Sequence, residues 1–146
     1  MVSFRADLRA ATDGRSRVSG LVAIVIVSHA PDVARSVAAF VEETVRGAVS
    51  VAWSGGTADG ALGTNVSSIV AAINAVLTPK GVAVLVDLGG AETNAESAID
   101  LLADADRAVV RVCDAPLVEG AIVAAARAAA GADLSDVCRA AEEAGR

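Results

Sequence analysis

The apolar run Leu21-Val-Ala-Ile-Val-Ile-Val27 constrains the fold more than any other feature of this sequence. It shows no polar alternation, and such a run predicts a strand that is covered on both faces, as in a parallel sheet between helices. The run leads directly into Ser28 and His29. Because ligands and chemistry gather beyond the carboxyl ends of parallel strands, His29, the only histidine of the chain, is a candidate catalytic residue. A core histidine satisfied by hydrogen bonds is the alternative interpretation.

Strand and helix patterns alternate along the rest of the chain. The predicted strands are residues 21–27, 49–53, 82–86 and 108–112, and the predicted helices are residues 31–46, 66–77, 92–102, 116–130 and a last one that Asp133 caps. This alternation predicts one α/β domain over residues 21–146, with a mainly parallel central sheet and helices on both faces. Residues 1–20 are interpreted as a disordered leader that precedes the first strand, with a start site assigned too early as the alternative.

Charge and composition argue against several classes of function. The net charge of −6 disfavours nucleic acid as a partner, because nucleic-acid phosphates attract clusters of Lys and Arg. No apolar run approaches the length of a membrane span, so no membrane association is predicted. Aromatic residues make up only 2% of the chain and Tyr is absent, which leaves few candidates for stacking on an organic cofactor. We therefore predict no cofactor.

The two cysteines, Cys113 and Cys138, do not form a metal-binding motif. They are not spaced as CxxC and have no histidine nearby, so no metal site is predicted. Both are interpreted as reduced thiols of a cytoplasmic protein.

Asp87 follows the third predicted strand, and its position relates it to His29. The carboxyl ends of parallel strands meet at one edge of a sheet, so Asp87 is predicted to accept a hydrogen bond from one ring nitrogen of His29. The other ring nitrogen is then free to attack as a nucleophile. A carboxylate that caps the following helix is the alternative interpretation.

Glycine-rich segments follow the second and third predicted strands at the same edge. The candidate phosphate-binding residues in them are Gly55, Gly56, Thr57, Gly89 and Gly90. Backbone N–H groups of such loops and of adjacent helix N-termini hold anions. The chain has neither the GxxxxGK[ST] motif of a Walker-type nucleotide site nor GxGxxG after its first strand. The combination predicts that a phosphoryl group is held on or next to His29 and arrives already activated from another protein.

Four segments of the sequence together resemble a known family. They are Val25-Ile-Val-Ser-His29, Gly55-Gly-Thr-x-Asp-Gly-x-Leu-Gly-Thr64, Leu85-Val-Asp-Leu-Gly89 with Asn94-Ala-Glu96, and Ala115-Pro-Leu-Val-Glu-Gly-Ala121. In this order and spacing they resemble the phosphotransferase subunits of bacterial dihydroxyacetone kinases, the DhaM type. That family is similar to the mannose-type enzyme IIA domains of the sugar phosphotransferase system. The resemblance covers residues 21–143 and implies an enzyme IIA-like α/β sandwich.

The resemblance implies a phosphohistidine carrier. In the family, phosphoenolpyruvate phosphorylates enzyme I, enzyme I phosphorylates HPr, and phospho-HPr phosphorylates the histidine that His29 matches. The phosphohistidine then rephosphorylates ADP bound on a second kinase subunit, and the resulting ATP phosphorylates dihydroxyacetone held by a third subunit. The resemblance also implies a homodimer.

Gly90 departs from the family pattern, in which a serine usually follows the glycine after the third strand. Glu92 is close by in sequence, and its carboxylate would repel a phosphohistidine unless it points away, whereas Thr93 is a candidate for the missing hydroxyl. Two alternatives therefore stay open. One is a mannose-type enzyme IIA domain that feeds a sugar permease, and the other is a non-catalytic regulatory module of the same fold.

Overall fold

The structure is a computed structural model that describes residues 20–146. The predicted leader lies outside the described residues, except for Gly20. None of the helices in the described part of the chain combines the length and the apolar character needed to cross a lipid bilayer.

The described chain alternates strands and helices around a single parallel sheet. The strands are β1 (Ala23–Ser28), β2 (Val51–Gly55), β3 (Val82–Val86) and β4 (Val110–Cys113). The helices are α1 (Pro31–Thr44), α2 (Val66–Val76), α3 (Gly89–Asp100), α4 (Asp104–Arg107), α5 (Leu117–Ala129) and α6 (Leu134–Glu143). All neighbouring strands pair in parallel, in the order β2-β1-β3-β4. This confirms the predicted α/β fold and places the ends of all four strands at one side of the sheet, which we call the carboxyl edge.

Side chains of β1 alternate between two apolar cores, one on each face of the sheet. Ile24 and Ile26 pack with helices α1, α5 and α6 on one face. Val25 and Val27 pack with helices α2 and α3 on the other face. All four are fully buried, which explains why the run contains no polar position. The first polar side chain of the strand, Ser28, comes where the strand reaches the carboxyl edge.

Several boundaries differ from the prediction. Strand β1 begins at Ala23 rather than at residue 21, strand β2 is displaced by two residues, and helix α4 is not predicted at all. The predicted start of helix α3 at residue 92 is wrong, because Gly89 and Gly90 already belong to this helix. Leu88 is extended and its carbonyl accepts the N–H groups of Ala91 and Glu92 at 2.9 and 3.2 Å, so the helix begins directly after it. The two glycines therefore form the N-terminal end of a helix.

Gly81 forms the tight turn before β3. Its φ is +108°, and a Cβ added there would lie 2.3 Å from the carbonyl oxygen of Val109. We expect Gly81→Ala to lower the free energy of unfolding by about 2 kcal/mol or more, because backbone strain and the clash act together. Gly131→Ala is the matched control, since Gly131 also has a positive φ of +90° but open space around the added Cβ. Urea denaturation measures both variants, and equal losses would contradict the importance of the Val109 contact.

Candidate active site

His29 lies at the carboxyl edge, directly after the last residue of β1. Its side chain is 29% exposed, so the ring is held by its surroundings and still reachable from outside. The loop after β2 fixes the backbone that carries the ring. The N–H of Gly56 donates to the carbonyl of Ser28 at 3.3 Å, and the N–H of Gly63 donates to the carbonyl of His29 at 2.9 Å.

Asp87 follows β3, the strand next to β1, and its carboxylate contacts the His29 ring. The distance from His29 Nδ1 to Asp87 Oδ1 is 2.9 Å. An ionised carboxylate only accepts hydrogen bonds, so a neutral ring carries its proton on Nδ1 and a lone pair on Nε2. The structure thus brings together the two residues that the strand ends point to. The orienting role of Asp87 stays a prediction, which substitution by asparagine tests.

The Asp87 carboxylate is fixed by three donors besides the ring. They are the Ser28 hydroxyl at 2.7 Å and the His29 N–H at 3.0 Å, both to Oδ2, and the Leu88 N–H at 2.7 Å to Oδ1. Burial acts to raise the pKa of Asp87, but the hydrogen bonds from His29, Ser28 and Leu88 outweigh it and hold the pKa below its ordinary value of 3.8. The residue that precedes helix α3 is Leu88 and not Asp87, so the carboxylate does not occupy the capping position.

The lowered pKa of Asp87 makes the stability of the fold sensitive to acid. The unfolded chain protonates Asp87 near 3.8 and the folded chain only at lower pH, so this contribution is present above 3.8 and is lost as the pH falls through the folded pKa. We expect the free energy of unfolding to fall as the pH drops below 3.8 and through the lower pKa of the folded state, and to fall less in Asp87→Asn. Because Asp87 is partly exposed to screening water, the difference is at most about 1 kcal/mol. Urea denaturation at a series of pH values measures this difference. If the free energy of unfolding depended on pH identically in the two proteins, the lowered pKa of Asp87 would be contradicted.

Ser28 is the site residue that the sequence reasoning missed. Its side chain is fully buried, donates to Asp87 Oδ2 and accepts the N–H of Ala30 at 3.1 Å. The signal was available, since a serine ends an otherwise apolar buried strand and buried hydroxyls are hydrogen-bonded. Ser28 joins the strand that carries His29 to the carboxylate that contacts its ring.

Gly55 ends β2 and the predicted phosphate-binding residues Gly56 and Thr57 follow it, with their backbone N–H groups already bonded to other groups. The N–H of Gly56 donates to Ser28, and the N–H of Thr57 donates to the carbonyl of Ala61 at 2.9 Å. A Cβ added at Gly55 would lie 2.9 Å from Pro31 Cα, so this glycine permits close packing of the loop on helix α1. Gly55, Gly56 and Thr57 also line a cleft of about 480 Å³ beside Trp53 and helix α2. In the structure they hold the backbone around His29, and their role toward phosphate stays a prediction.

Gly89 and Gly90 lie on the other side of the ring, at the N-terminus of helix α3. A Cβ added at Gly90 would lie 3.3 Å from His29 Nε2, so the nitrogen that carries the lone pair faces this end of the helix. The first N–H groups of an α-helix lack acceptors within the helix and carry its partial positive charge. Those of Ala91 and Glu92 donate to Leu88, which leaves Gly89 and Gly90 as the candidates for an anion on Nε2.

Other polar residues near this edge have partners of their own or face solvent. The Thr93 hydroxyl donates to the carbonyl of Gly89 at 3.2 Å, and so is turned back on its own helix. The side chain of Glu92 is exposed. Arg35 forms a surface ion pair with Asp32 at 2.8 Å. Within residues 20–146 no cationic side chain is bound to His29 or Asp87 in the structure.

The two cysteines lie next to each other in the apolar core on one face of the sheet. Cys113 and Cys138 are both buried free thiols, with their sulfur atoms 2.6 Å apart. No group of three or more His, Cys, Asp or Glu side chains in the described residues is arranged to hold a metal ion.

Residues 23–138 match the sequence model of one protein family. It is the EIIA-man family, described as the PTS system fructose IIA component. The matched residues run from the first residue of β1 into helix α6 and include both His29 and Asp87.

Two curated proteins are similar to most of the chain. The phosphoryl donor subunit DhaM of PEP-dependent dihydroxyacetone kinase 2 from Listeria innocua is 36% identical over 105 residues, which are 72% of this chain and 84% of that protein. The phosphoryl donor subunit DhaM of PEP-dependent dihydroxyacetone kinase from Pantoea ananatis is 38% identical over 120 residues, which are 80% of this chain and 25% of that protein. The chain thus spans about a quarter of the length of the Pantoea relative.

A solved structure is similar to this chain over nearly the whole length of the solved protein. The crystal structure of the unknown function protein EF1359 has a TM-score of 0.71 and 29% sequence identity, and the match covers 86% of this chain and 96% of that one. Its similarity agrees with the α/β architecture described above.

Proposed function

Because the chain belongs to the EIIA-man family of PTS components, we propose that it is a phosphohistidine carrier in which His29 Nε2 accepts and then releases a phosphoryl group. Its similarity to DhaM subunits along most of its length confirms the resemblance seen in the sequence. The protein is proposed to act as the phosphoryl donor subunit of a dihydroxyacetone kinase. It transfers the group without itself binding the final substrate.

The contact between His29 Nδ1 and Asp87 is the observation that carries the proposal. With the proton held on Nδ1, the lone pair of Nε2 forms the new bond to phosphorus. The bond between phosphorus and the donor breaks at the same time, and its electron pair leaves with the donor. No proton needs to leave Nε2. The phosphorylated ring becomes cationic, and the adjacent Asp87 carboxylate balances that charge.

The surroundings of Nε2 favour a phosphoryl group that is bound weakly enough to move on. The N-terminus of helix α3 offers backbone N–H groups and a partial positive charge. The nearby cation Arg35 is already paired with Asp32. Phosphoryl transfer depends mainly on positioning and charge stabilisation, and a carrier must also release its cargo.

The proposed donor is phospho-HPr, and the proposed acceptor is ADP bound on a partner subunit of the kinase. A further subunit then holds dihydroxyacetone. A ring that is 29% exposed at the edge of the sheet is accessible to two proteins in turn. The proposal includes a homodimer in the cytoplasm, where these partners are found. Size-exclusion chromatography with light scattering tests the dimer.

A second candidate function is the transfer of the phosphoryl group to a sugar permease. The description of the matching family as a PTS fructose component favours it. Both candidates use the same histidine and the same donor, and they differ only in the acceptor.

A chase experiment separates the two functions. The protein is first phosphorylated with phosphoenolpyruvate, enzyme I and HPr, freed of the donors, and then mixed with an ADP-loaded kinase subunit. We expect the phosphate to leave the protein and ATP to appear in equal amount. Phosphate that stays on the protein with the kinase subunit but moves to sugar with permease-containing membranes would overturn the kinase assignment in favour of the permease.

A further inference from the structure

A hydrogen bond joins helix α3 to the end of the loop after β2. The side-chain amide Nδ2 of Asn94 donates to the hydroxyl oxygen of Thr64, 30 residues away in sequence. Asn94 belongs to the segment Asn94-Ala-Glu96, which the roles of His29 and Asp87 leave unexplained. Both partners are partly buried, so water competes less for this bond than for one on the open surface.

The loop side of this bond leads directly to His29. Thr64 follows Gly63, whose N–H donates to the His29 carbonyl at 2.9 Å. On its other side Thr64 is followed by Asn65, whose Oδ1 accepts the N–H of Ser68 at 2.8 Å and caps helix α2. Thr64 is thus held between the backbone of His29 and the start of helix α2.

The helix side of the bond leads to His29 Nε2. Asn94 lies four residues after Gly90 in helix α3, and residues four apart share one face of a helix. Gly90 is the residue whose added Cβ would lie 3.3 Å from Nε2. Asn94 therefore bonds the loop one turn along the same face of α3 that meets the ring.

We propose that Asn94 is a positioning residue, which through Thr64 keeps the N-terminus of helix α3 in place against the free nitrogen of His29. The contacts form a closed path from α3 through Asn94, Thr64 and Gly63 to His29, and back from Nε2 to Gly90. This inference rests on the proposed carrier function. Without the bond, the helix end and the ring are free to separate, and the N–H groups of Gly89 and Gly90 no longer meet the phosphoryl group at the right distance.

Loss of the bond between Asn94 and Thr64 should slow transfer to His29 and leave binding of the donor nearly unchanged. Asn94→Ala and Thr64→Val each remove one partner of the bond. We expect each to lower kcat, here the rate constant for phosphorylation of the protein at saturating phospho-HPr, about tenfold. Misplacement of a reacting group reduces the rate more than it reduces binding. The KM for phospho-HPr should stay within about twofold, since uniform binding is not affected. The double variant should be no slower than either single variant.

Three comparisons make the test specific. Thr64→Ser keeps the hydroxyl and should restore a rate close to that of the native protein. Ser97→Ala, an exposed change on the same helix, is the control and should leave kcat unchanged. Thermal unfolding identifies any variant that fails to fold. If Asn94→Ala does not fold, Thr64→Val tests the same bond, because valine keeps the shape of the threonine side chain.

The outcomes separate this inference from the proposed function. Native kcat in both Asn94→Ala and Thr64→Val, or multiplied losses in the double variant, would overturn the positioning role while the carrier function stands. A native protein that takes no phosphate from phospho-HPr would overturn the carrier function, and the positioning role with it.

Discussion

Replacing His29 with alanine is expected to abolish phosphoryl acceptance completely. His29 is the only histidine of the chain, and its Nε2 is the nitrogen that faces the N-terminus of helix α3. No other imidazole can take over the lone pair that forms the bond to phosphorus. The measurement is intact mass after incubation with phosphoenolpyruvate, enzyme I and HPr, in which native protein gains one phosphate and the variant gains none.

The alanine variant should still fold. His29 is partly exposed and lies at the end of β1, outside the two apolar cores, so its removal leaves the packing intact. We expect the thermal midpoint to stay within about 5 °C of the native value, because a surface substitution changes stability by less than about 1 kcal/mol and the Asp87 carboxylate keeps its other donors. A folded His29→Ala variant that still gains phosphate would disprove the assigned nucleophile.

Replacing Asp87 with asparagine is expected to slow phosphoryl transfer strongly without removing the nucleophile. The carboxylate has two backbone donors, one on each oxygen: the Leu88 N–H on Oδ1 and the His29 N–H on Oδ2. The asparagine amide nitrogen must face one of them whichever way the side chain turns, and a donor then opposes a donor. In the orientation with nitrogen toward the ring, the His29 proton moves to Nε2 and blocks the attacking lone pair.

The loss of charge adds to this effect, because asparagine no longer balances the cationic phosphorylated ring. Ser–His–Asp triads lose about 10⁴-fold in rate when the wrong tautomer is imposed, and we expect a loss on the order of a hundredfold or more here. The single-turnover rate of phosphorylation by phospho-HPr measures it.

Asp32→Asn is the matched control for Asp87→Asn. Asp32 also lies near the carboxyl edge, where its exposed carboxylate forms a surface ion pair with Arg35. Its substitution should leave the rate within about twofold of native, since exposed ion pairs contribute little. If the two asparagine variants transferred phosphate equally fast, Asp87 would have no orienting role.

The central part of the fold could be predicted from the sequence because its strongest signal is burial. The uninterrupted apolar run of β1 predicts a strand between two layers of helices. Strand β3 matches its predicted bounds, 82–86. The ends of elements were predicted less well. The beginning of helix α3 was missed because glycine usually marks turns, whereas here the extended Leu88 and its carbonyl start the helix before the glycines.

The pairing of His29 with Asp87 follows from the parallel strand order, since neighbouring strand ends bring residues 58 apart into contact. The details around the pair depend on hydrogen bonds between distant segments, which periodicity and spacing do not encode. Ser28 bonds to Asp87 across 59 residues, and Asn94 bonds to Thr64 across 30. Such contacts become visible only when the loops are placed in three dimensions.

Locating the phosphate after incubation with phosphoenolpyruvate, enzyme I and HPr tests the carrier function of His29 most directly. Peptide mapping should find one acid-labile phosphate on the peptide that contains His29, and mild acid should remove it. No phosphate on the protein, or an acid-stable phosphate on another residue, would contradict the carrier function.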